Sequence, residues 1–490
     1  MEQEPQGNSC HMTDARSLDA IINARSLAVV GASEKPMKFG SLFLRSQLEF
    51  GFKGKIYPVN PGEREIFGLP SYPSLSDLPE APDLVYIAIP AHRALGVLEE
   101  CASLGVKGVV ILASGFREAG PEGMELERRA LELSRRGGFR IIGPNCFGIY
   151  NPRSGLALLP GHDFSREEGP LAFISQSGGY AAHVGRLGKD LGLGFRAIVS
   201  YGNACDVDEA DLLDYFGGDT GTSAVACYLE GTRDGRRLFR VLKDVASRKP
   251  VVIWKVGKTE ASARAVASHT GSLAGSPWLW KGILRQCGVA ESRGVEETCG
   301  ILSIIQHLGP NPGKRILFVG GGGGLGTWAA DLAGEVGLVL PALQPETEER
   351  LRALLGYPGA AVGNPLDMGT PAVRPELFWE ILLAAAPDPG VEVVVFDMAV
   401  NFAYDLVGEG VREMASHLAE VAEATRKAFI AVLYNRATGP DDLERERLLR
   451  ELRSFLHGKG IPTFTGMGEA LNCLARANQF HRLPNASQGK

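Results

Sequence analysis

A single histidine stands among small and hydroxyl residues in the stretch AVASHTGSLAG, residues 265–275. Because no bulky side chain crowds His269, the stretch is predicted to be a mobile loop that carries one reactive imidazole. A solvated surface histidine would show the same pattern. A nucleophilic imidazole needs an acidic partner for its second nitrogen, and Glu230, which ends an apolar run, is the best candidate. An ordinary carboxylate at the end of a strand is the alternative for Glu230.

Three glycine turns follow short apolar runs, and a helical pattern follows each turn. Free N–H groups at a helix N-terminus attract phosphate by up to about 2 kcal/mol, so each turn is a candidate phosphate site that needs further contacts. Backbone geometry alone could explain the first turn, at Gly31, and a serine N-cap could explain the second. The third has five consecutive glycines, which favours close approach of a ligand. The candidate phosphate-binding residues of the second and third turns are Ser175, Ser177, Gly178, Gly179, Gly322, Gly323 and Gly324.

The first turn differs from a nicotinamide-dinucleotide site. Its spacing is not G-x-G-x-x-G, and the second strand ends in Asn60 rather than in the carboxylate that binds the NAD ribose. Later strands end in loops of small residues at Pro90, Ser114 and Asn145, where a parallel sheet binds its ligands. Cys146 could be catalytic there, or a small buried thiol.

The pattern of strand, glycine turn and helix opens three successive units. Its alternation predicts an α/β protein of three Rossmann-like or flavodoxin-like doubly wound parallel sheets. A chain of 490 residues is also too long for one core. The predicted division is a flexible tail, three domains and Pro- and Gly-containing linkers, with the tail at 1–16 and the domains at 17–152, 165–308 and 312–480.

Composition excludes several classes of protein. A formal net charge of −6 provides no field that would attract nucleic acid. The eight cysteines lack the spacing of a disulfide framework or a zinc site, and no metal site is predicted. Four aspartates between 206 and 214 are interpreted as an N-cap and a solvated helix face. Without a signal peptide or an apolar run of about 18–20 residues, a cytoplasmic protein with no membrane contact is expected.

Seven motifs, taken together and in this order, carry a resemblance to a known family. They are VGAS at 30–33, YPVNP at 57–61, GPNCFG at 143–148, SQSG at 175–178, YGN at 201–203, LEG at 229–231 and SHTGSLAG at 268–275. The chain resembles the CoA-binding subunit of the NDP-forming acyl-CoA synthetases, the ADP-forming acetate–CoA ligase group related to succinyl-CoA synthetase. The resemblance extends over about residues 20–480.

The resemblance implies a reaction and a set of sites. The first domain would bind coenzyme A, and the helix termini at the second and third glycine turns would face each other. His269 would be phosphorylated, with Glu230 stabilising it. Acyl-CoA, ADP and phosphate would be interconverted with carboxylic acid, CoA and ATP through an acyl phosphate and a phosphohistidine. The residues expected to bind CoA are Gly31, Ser33, Lys35, Asn60, Pro90, Ser114, Gly115, Asn145 and Cys146.

No stretch resembles the ATP-grasp domain that holds ATP or ADP and Mg²⁺ in this family. A separate ATP-grasp subunit is therefore the expected partner, in a hetero-oligomer or a homodimer. Two alternatives remain at this stage. One is an acyltransferase or carbamoyl-transferring relative, which tends to lose the histidine stretch; the other is a non-catalytic CoA-sensing protein. The identity of the acyl group does not follow from the sequence.

Overall fold

The computed structural model confirms the predicted α/β class, because three main parallel sheets follow one another along the chain. It describes residues 15–159, 163–270, 275–358, 360–369, 374–435, 439 and 442–480, with the backbone alone at 15–17 and 267–270.

The first unit contains a five-stranded parallel sheet in the order β2-β1-β5-β6-β7, and β3 and β4 form a separate hairpin. Its central strands are buried throughout because helices cover both faces, which accounts for their continuous apolar runs. In chain order the elements are α1 (Ala15–Ile22), β1 (Ser26–Val30), α2 (Phe39–Phe50), β2 (Lys55–Val59), β3 (Glu65–Ile66), β4 (Leu69–Pro70), β5 (Leu84–Ile87), α3 (Ala91–Leu104), β6 (Gly108–Ile111), α4 (Pro121–Gly137) and β7 (Arg140–Ile142).

The second unit contains a six-stranded sheet in the order β13-β12-β11-β9-β10-β8. Its edge strand β8 is antiparallel to β10, so residues 148–150, which the boundary at 152 assigned to the first domain, pair with the second sheet. The elements are β8 (Gly148–Tyr150), β9 (Glu168–Ser175), α5 (Gly178–Asp190), β10 (Phe195–Ser200), α6 (Glu209–Gly218), β11 (Ala224–Leu229), α7 (Gly235–Ala246), β12 (Val251–Lys255), α8 (Glu260–Thr270), α9 (Pro277–Cys287), β13 (Ala290–Ser292) and α10 (Val295–Leu308).

The third unit contains a five-stranded parallel sheet in the order β15-β14-β16-β17-β18. The elements are β14 (Ile316–Gly320), α11 (Gly323–Glu335), α12 (Pro345–Leu354), β15 (Leu366–Asp367), α13 (Pro375–Ala385), β16 (Val393–Ala399), α14 (Val400–Val407), α15 (Gly410–Thr425), β17 (Ala428–Tyr434), α16 (Leu443–Gly458), β18 (Thr463–Phe464) and α17 (Met467–Ala477).

All three sheets share one topological feature that decides where ligands can bind. The first parallel strand of each unit lies between the second and the third, so the strand order reverses beside it. These switch points lie between β1 and β5, between β9 and β11, and between β14 and β16. Doubly wound sheets bind ligands at the carboxyl edge of such a point, and each of the three glycine turns follows the first strand there.

The stretch between β8 and β9, for which the sequence predicts a linker, is packed against the first two units in its described residues, 151–159 and 163–167. Side-chain atoms of Gln47 on α2 exchange two buried hydrogen bonds with the backbone of Ala157, at 2.7 and 2.9 Å. Residues 156–159 are buried, and Phe164 packs against Tyr150 with ring centroids 5.2 Å apart. Apolar residues in this segment therefore join the first two units.

A half-buried histidine and a buried one meet where the second unit contacts the third. The rings of His307 and His457 stack with centroids 5.9 Å apart, and Thr463 Oγ lies 2.8 Å from His457 Nε2. Burial lowers the pKa of His307 to about 4. Burial, with the nearby charges of His307 and Arg453, lowers the pKa of His457 to about 3.

This pair should make the protein sensitive to acid. In the unfolded chain both imidazoles bind protons below the ordinary pKa near 6.5, whereas in the folded protein they stay neutral down to a pH of about 4. Proton binding therefore favours the unfolded state, so the folded state keeps its full stability above pH 6.5 and loses it as the pH falls towards 4. We expect the free energy of unfolding to fall on the order of 2 kcal/mol per histidine between pH 7 and pH 5. Urea unfolding at both pH values measures it. A His307→Gln/His457→Gln variant should lose this pH dependence, and an unchanged dependence would contradict the assignment.

Candidate functional site

A cavity of about 950 Å³ lies at the carboxyl edge of the first sheet, at its switch point. This volume is at the upper end of the range for small-molecule and cofactor sites, roughly 300–1,000 Å³. Lys35 and Gly115 do not line the cavity. The other residues expected to bind CoA do line it: Gly31, Ser33, Asn60, Pro90, Ser114, Asn145 and Cys146.

The wall of this cavity depends on close approach between the ends of strands. Gly31 has φ +89°, and a Cβ there would lie 2.7 Å from Ile89 Cγ2. Asn60 Nδ2 donates to the carbonyl of Ala32 at 2.8 Å, while its Oδ1 accepts from the Gly62 N–H at 2.9 Å. Asn60 therefore ties the end of β2 to the first glycine turn, in the position where an NAD site has a carboxylate.

Cys146 is a buried thiol rather than a nucleophile. Its Sγ lies 3.4 Å from the carbonyl of Ile111, and the residue is 2% exposed. Burial raises the pKa of Cys146 to about 12, so the thiolate does not form at neutral pH.

Sequence reasoning missed the basic side chains of this cavity. Lys38, His92 and Arg93 contribute to its lining, and the last two belong to the first turn of α3. Cations are unfavourable at a helix N-terminus, where the macrodipole is positive, unless an anion binds there. For His92 and Arg93, the signal in the sequence was a pair of basic residues shortly after a strand and a proline.

The second glycine turn connects β9 to α5 at the switch point of the second sheet. The Ser177 N–H donates to Ser175 Oγ at 3.1 Å, and the Ser175 hydroxyl donates to the Ser177 carbonyl at 2.7 Å. Ser177 also caps α5 by accepting from the Tyr180 N–H at 3.4 Å. A Cβ at Gly178 would lie 2.5 Å from the ring of Phe147, so this glycine allows the Phe147 ring to pack against the turn.

Glu230 lies beside this turn. It follows β11, which pairs with β9 so that Tyr228 is opposite Ser175. The glutamate is 5% exposed, and the Tyr228 hydroxyl donates to its Oε1 at 3.3 Å. Gln176 Oε1 accepts from the N–H groups of Glu230 and Gly231, at 2.5 and 3.1 Å. Sequence reasoning missed Gln176, which joins the serine turn to the loop that carries Glu230.

His269 belongs to the last turn of α8. The predicted loop is therefore wrong for residues 265–270, where the alanine-rich run EASARAVASHT favours a helix. The side chain of His269 and residues 271–274 lie outside the described residues. Helix α8 contacts the 3₁₀ turn Arg117–Ala119 of the first unit, directly after Ser114 and Gly115. The histidine helix of the second unit thus contacts the unit that contains the cavity.

The third glycine turn is held by a carboxylate. Asp367 Oδ1 accepts from the Gly322 N–H at 2.9 Å and from the Gly369 N–H at 3.0 Å. Gly322 has φ +108° and precedes α11, while Gly323 and Gly324 open that helix and are exposed. The turn is therefore accessible at the switch point of the third sheet, as a phosphate site requires.

Structural partners are present for Asp206, Asp208 and Asp211, and the Asp211 side chain is buried rather than part of the predicted solvated helix face. Asp208 caps α6, and both Asp208 and Asp211 pair with Arg237. Arg140 pairs with Asp206 at 2.9 Å and with Asp211 at 3.1 Å. Within the described residues, no three His, Cys, Asp or Glu side chains are grouped as metal ligands. None of the helices that the structure describes, in any of the three units, has the length and apolar composition needed to span a membrane.

Comparison with known proteins identifies the family. A CoA binding domain matches residues 25–152, and a succinyl-CoA ligase-like flavodoxin domain matches residues 168–305. The alpha subunit of acetate–CoA ligase (ADP-forming) I from Pyrococcus furiosus is 40% identical over 361 residues, which are 72% of this chain and 76% of that protein. This chain belongs to the ADP-forming acetate–CoA ligase family. The alpha subunit of the II enzyme from the same organism is 38% identical and covers 77% of this chain and 81% of that protein.

A solved structure and a further sequence relative agree with this assignment. The dinucleotide-forming acetyl-coenzyme A synthetase 1 of Ca. Korarchaeum cryptofilum, in complex with phosphate and ADP, superposes with a TM-score of 0.81 at 30% identity. The match covers 95% of this chain and 97% of that chain. Acetate–CoA ligase (ADP-forming) I of Archaeoglobus fulgidus is 37% identical, and the match spans 77% of this chain and 54% of that longer protein. The resemblance found in the sequence is therefore confirmed.

Proposed function

We propose that this chain is the CoA-binding subunit of an ADP-forming acyl-CoA synthetase that transfers a phosphoryl group through His269. The observation that carries the proposal is the arrangement at the second switch point. There Gln176 of the serine turn accepts a hydrogen bond from the backbone of buried Glu230, and the histidine helix contacts the unit that contains the cavity. A thioester, a phosphate and an imidazole would meet at this place.

The reaction follows from these groups. An oxygen of phosphate attacks the thioester carbonyl, the carbon–sulfur bond breaks, and CoA leaves as a thiolate that takes up a proton. A nitrogen of His269 then attacks the phosphorus of the acyl phosphate, and the carboxylate leaves. The N–H groups at Gly178 and Gly179 would hold the phosphate of the acyl phosphate, with Ser175 and Ser177 shaping the turn. Glu230 would orient the imidazole and stabilise its positive charge.

The third turn and a partner would complete the cycle. Gly322, Gly323 and Gly324 would supply a second helix terminus for the phosphohistidine, facing the first. ADP then accepts the phosphoryl group on an ATP-grasp subunit that binds ADP or ATP and Mg²⁺. The alpha-subunit names of the Pyrococcus relatives support a partner subunit.

A reconstitution experiment tests this function. The chain is mixed with an ATP-grasp subunit, acetyl-CoA, ADP, phosphate and Mg²⁺, and ATP formation is followed. We expect ATP only when both proteins are present, and a panel of acyl-CoA thioesters would then define the acyl group. No ATP and no phosphorylated chain with any thioester would favour the non-catalytic CoA-sensing alternative instead.

Arg93 provides a test of the CoA site. Because Arg93 lines the cavity, we expect Arg93→Ala to raise the Kd for CoA about tenfold, the size of one charge-assisted phosphate contact. Titration calorimetry with CoA measures this change. Arg129→Ala, on an exposed part of α4, is the matched control and should bind CoA normally. Equal affinity in the two variants would place the phosphates of CoA elsewhere.

A further inference from the structure

Lys255, at the end of β12, is a buried cation with a defined set of contacts. The residue is 2% exposed. Its Nζ donates to the carbonyl of Glu230 at 2.8 Å and also to the carbonyl of Val256. The ammonium lies 5.0 Å from the centre of the Trp280 ring, within the distance of a cation–π contact. One side chain therefore touches the loop of Glu230, the exit of β12 and helix α9.

These contacts join the two ends of the chain segment that contains the histidine helix. Lys255 precedes that segment and Trp280 follows it. Gly275 also lies against the indole, since a Cβ there would be 3.1 Å from Trp280 Nε1, and its φ is +73°. The start and the end of the segment therefore meet at Lys255 and Trp280, next to Glu230.

An apolar residue would serve better if this position only filled space. The rest of β12, residues 251–254, is apolar and buried, and it pairs with β11 and β13. A buried ammonium is costly unless its donors are used, and here they are used on the backbone that carries Glu230. We therefore attribute the lysine at this position to the hydrogen bonds that its ammonium donates to the backbone carbonyls of Glu230 and Val256.

We propose that Lys255 is a positioning residue for the His269–Glu230 pair, because its ammonium holds the backbone of Glu230 against the base of the histidine segment. This inference rests on the proposed function, since it concerns the efficiency of histidine phosphorylation. The charges that act on Lys255 are those of Glu230 and Lys258, and the latter pairs with Glu291 at 2.6 Å. Burial lowers the pKa of Lys255 to about 8, so the charged form prevails at neutral pH and is lost above it.

The test compares Lys255→Met and Lys255→Arg with the exposed-lysine control Lys243→Met. The chain is phosphorylated by the ATP-grasp subunit with labelled ATP, and CoA affinity is measured in parallel. We expect Lys255→Met to slow labelling of His269 at least tenfold, about 1.4 kcal/mol, with the Kd for CoA within about twofold of wild type. Lys243→Met should behave as wild type, and Lys255→Arg should recover part of the rate.

A pH profile separates positioning from a merely structural role. Wild-type labelling should decline above about pH 8 as the ammonium loses its proton, and Lys255→Arg, whose guanidinium stays charged, should lack this decline. Normal labelling in Lys255→Met overturns the inference, as does a variant in which labelling, CoA affinity and melting temperature fall together. A wild-type chain that takes no label at His269 would instead overturn the proposed function.

Discussion

Replacement of His269 by asparagine should abolish the acid-labile phosphate on the chain and lower ligase activity at least about 10⁴-fold, the scale of losing a catalytic nucleophile. Asparagine offers no nitrogen that can attack phosphorus and then carry a positive charge. The measurement combines labelling with ATP and the ATP-grasp subunit, acid and base treatment of the labelled chain, and assay of ATP formation from acetyl-CoA, ADP and phosphate.

The control for this variant is His183→Asn, which alters an exposed histidine on α5 of the same unit. It should retain label and activity. CoA titration of His269→Asn should be normal because the cavity belongs to the first unit. Equal labelling of His269→Asn and wild type would remove the phosphohistidine from the mechanism and leave the family assignment intact.

The second large effect is expected at Glu230. Glu230→Gln preserves the shape of the side chain and an acceptor for the Tyr228 hydroxyl, but it removes the negative charge. We expect the labelling rate to fall about 10²–10⁴-fold, the range for loss of a group that assists an acid–base or nucleophilic partner. The phosphorylated state should also accumulate less, because no carboxylate balances the charge of the phosphorylated imidazole.

Quench-flow labelling and a melting curve distinguish this effect from a folding defect. The melting temperature should change little, since the two hydrogen bonds that the backbone N–H groups of residues 230 and 231 donate to Gln176 remain. Glu132→Gln, at an exposed carboxylate of α4, should show wild-type rates. If Glu230→Gln labels as fast as this control, Glu230 only supports the loop and another group orients the imidazole.

Local chemistry explains which predictions succeeded. Buried strands such as β1 and β9 are recognisable in the sequence as short apolar runs, because both faces of each strand are covered. Gly31 requires φ +89° between a strand and the following helix, so its residue type is visible in the sequence. The α/β class and the position of the turns follow from such signals, and the order of motifs was sufficient for the family.

Other features depend on residues far apart in the chain. Gln176 reaches Glu230 because β9 and β11 are neighbours in the sheet, although β10 separates them in sequence. The sequence does not distinguish Arg93 from other arginines on helices, because its place at the cavity depends on the folded structure. Helix α8 was mistaken for a loop because the glycines after residue 270 outweighed the alanines before it.

The sequence by itself determined the class of fold, the family and the residue types that phosphoryl transfer needs, since strand period, turn geometry and nucleophile chemistry are local properties of the chain. Only the tertiary structure decided that the three turns stand at three switch points, that Glu230 is buried beside the serine turn, and that Lys255 joins both ends of the histidine segment. The physical reason is that strand order and burial arise from contacts between distant residues. These contacts change what each residue can do without changing its type.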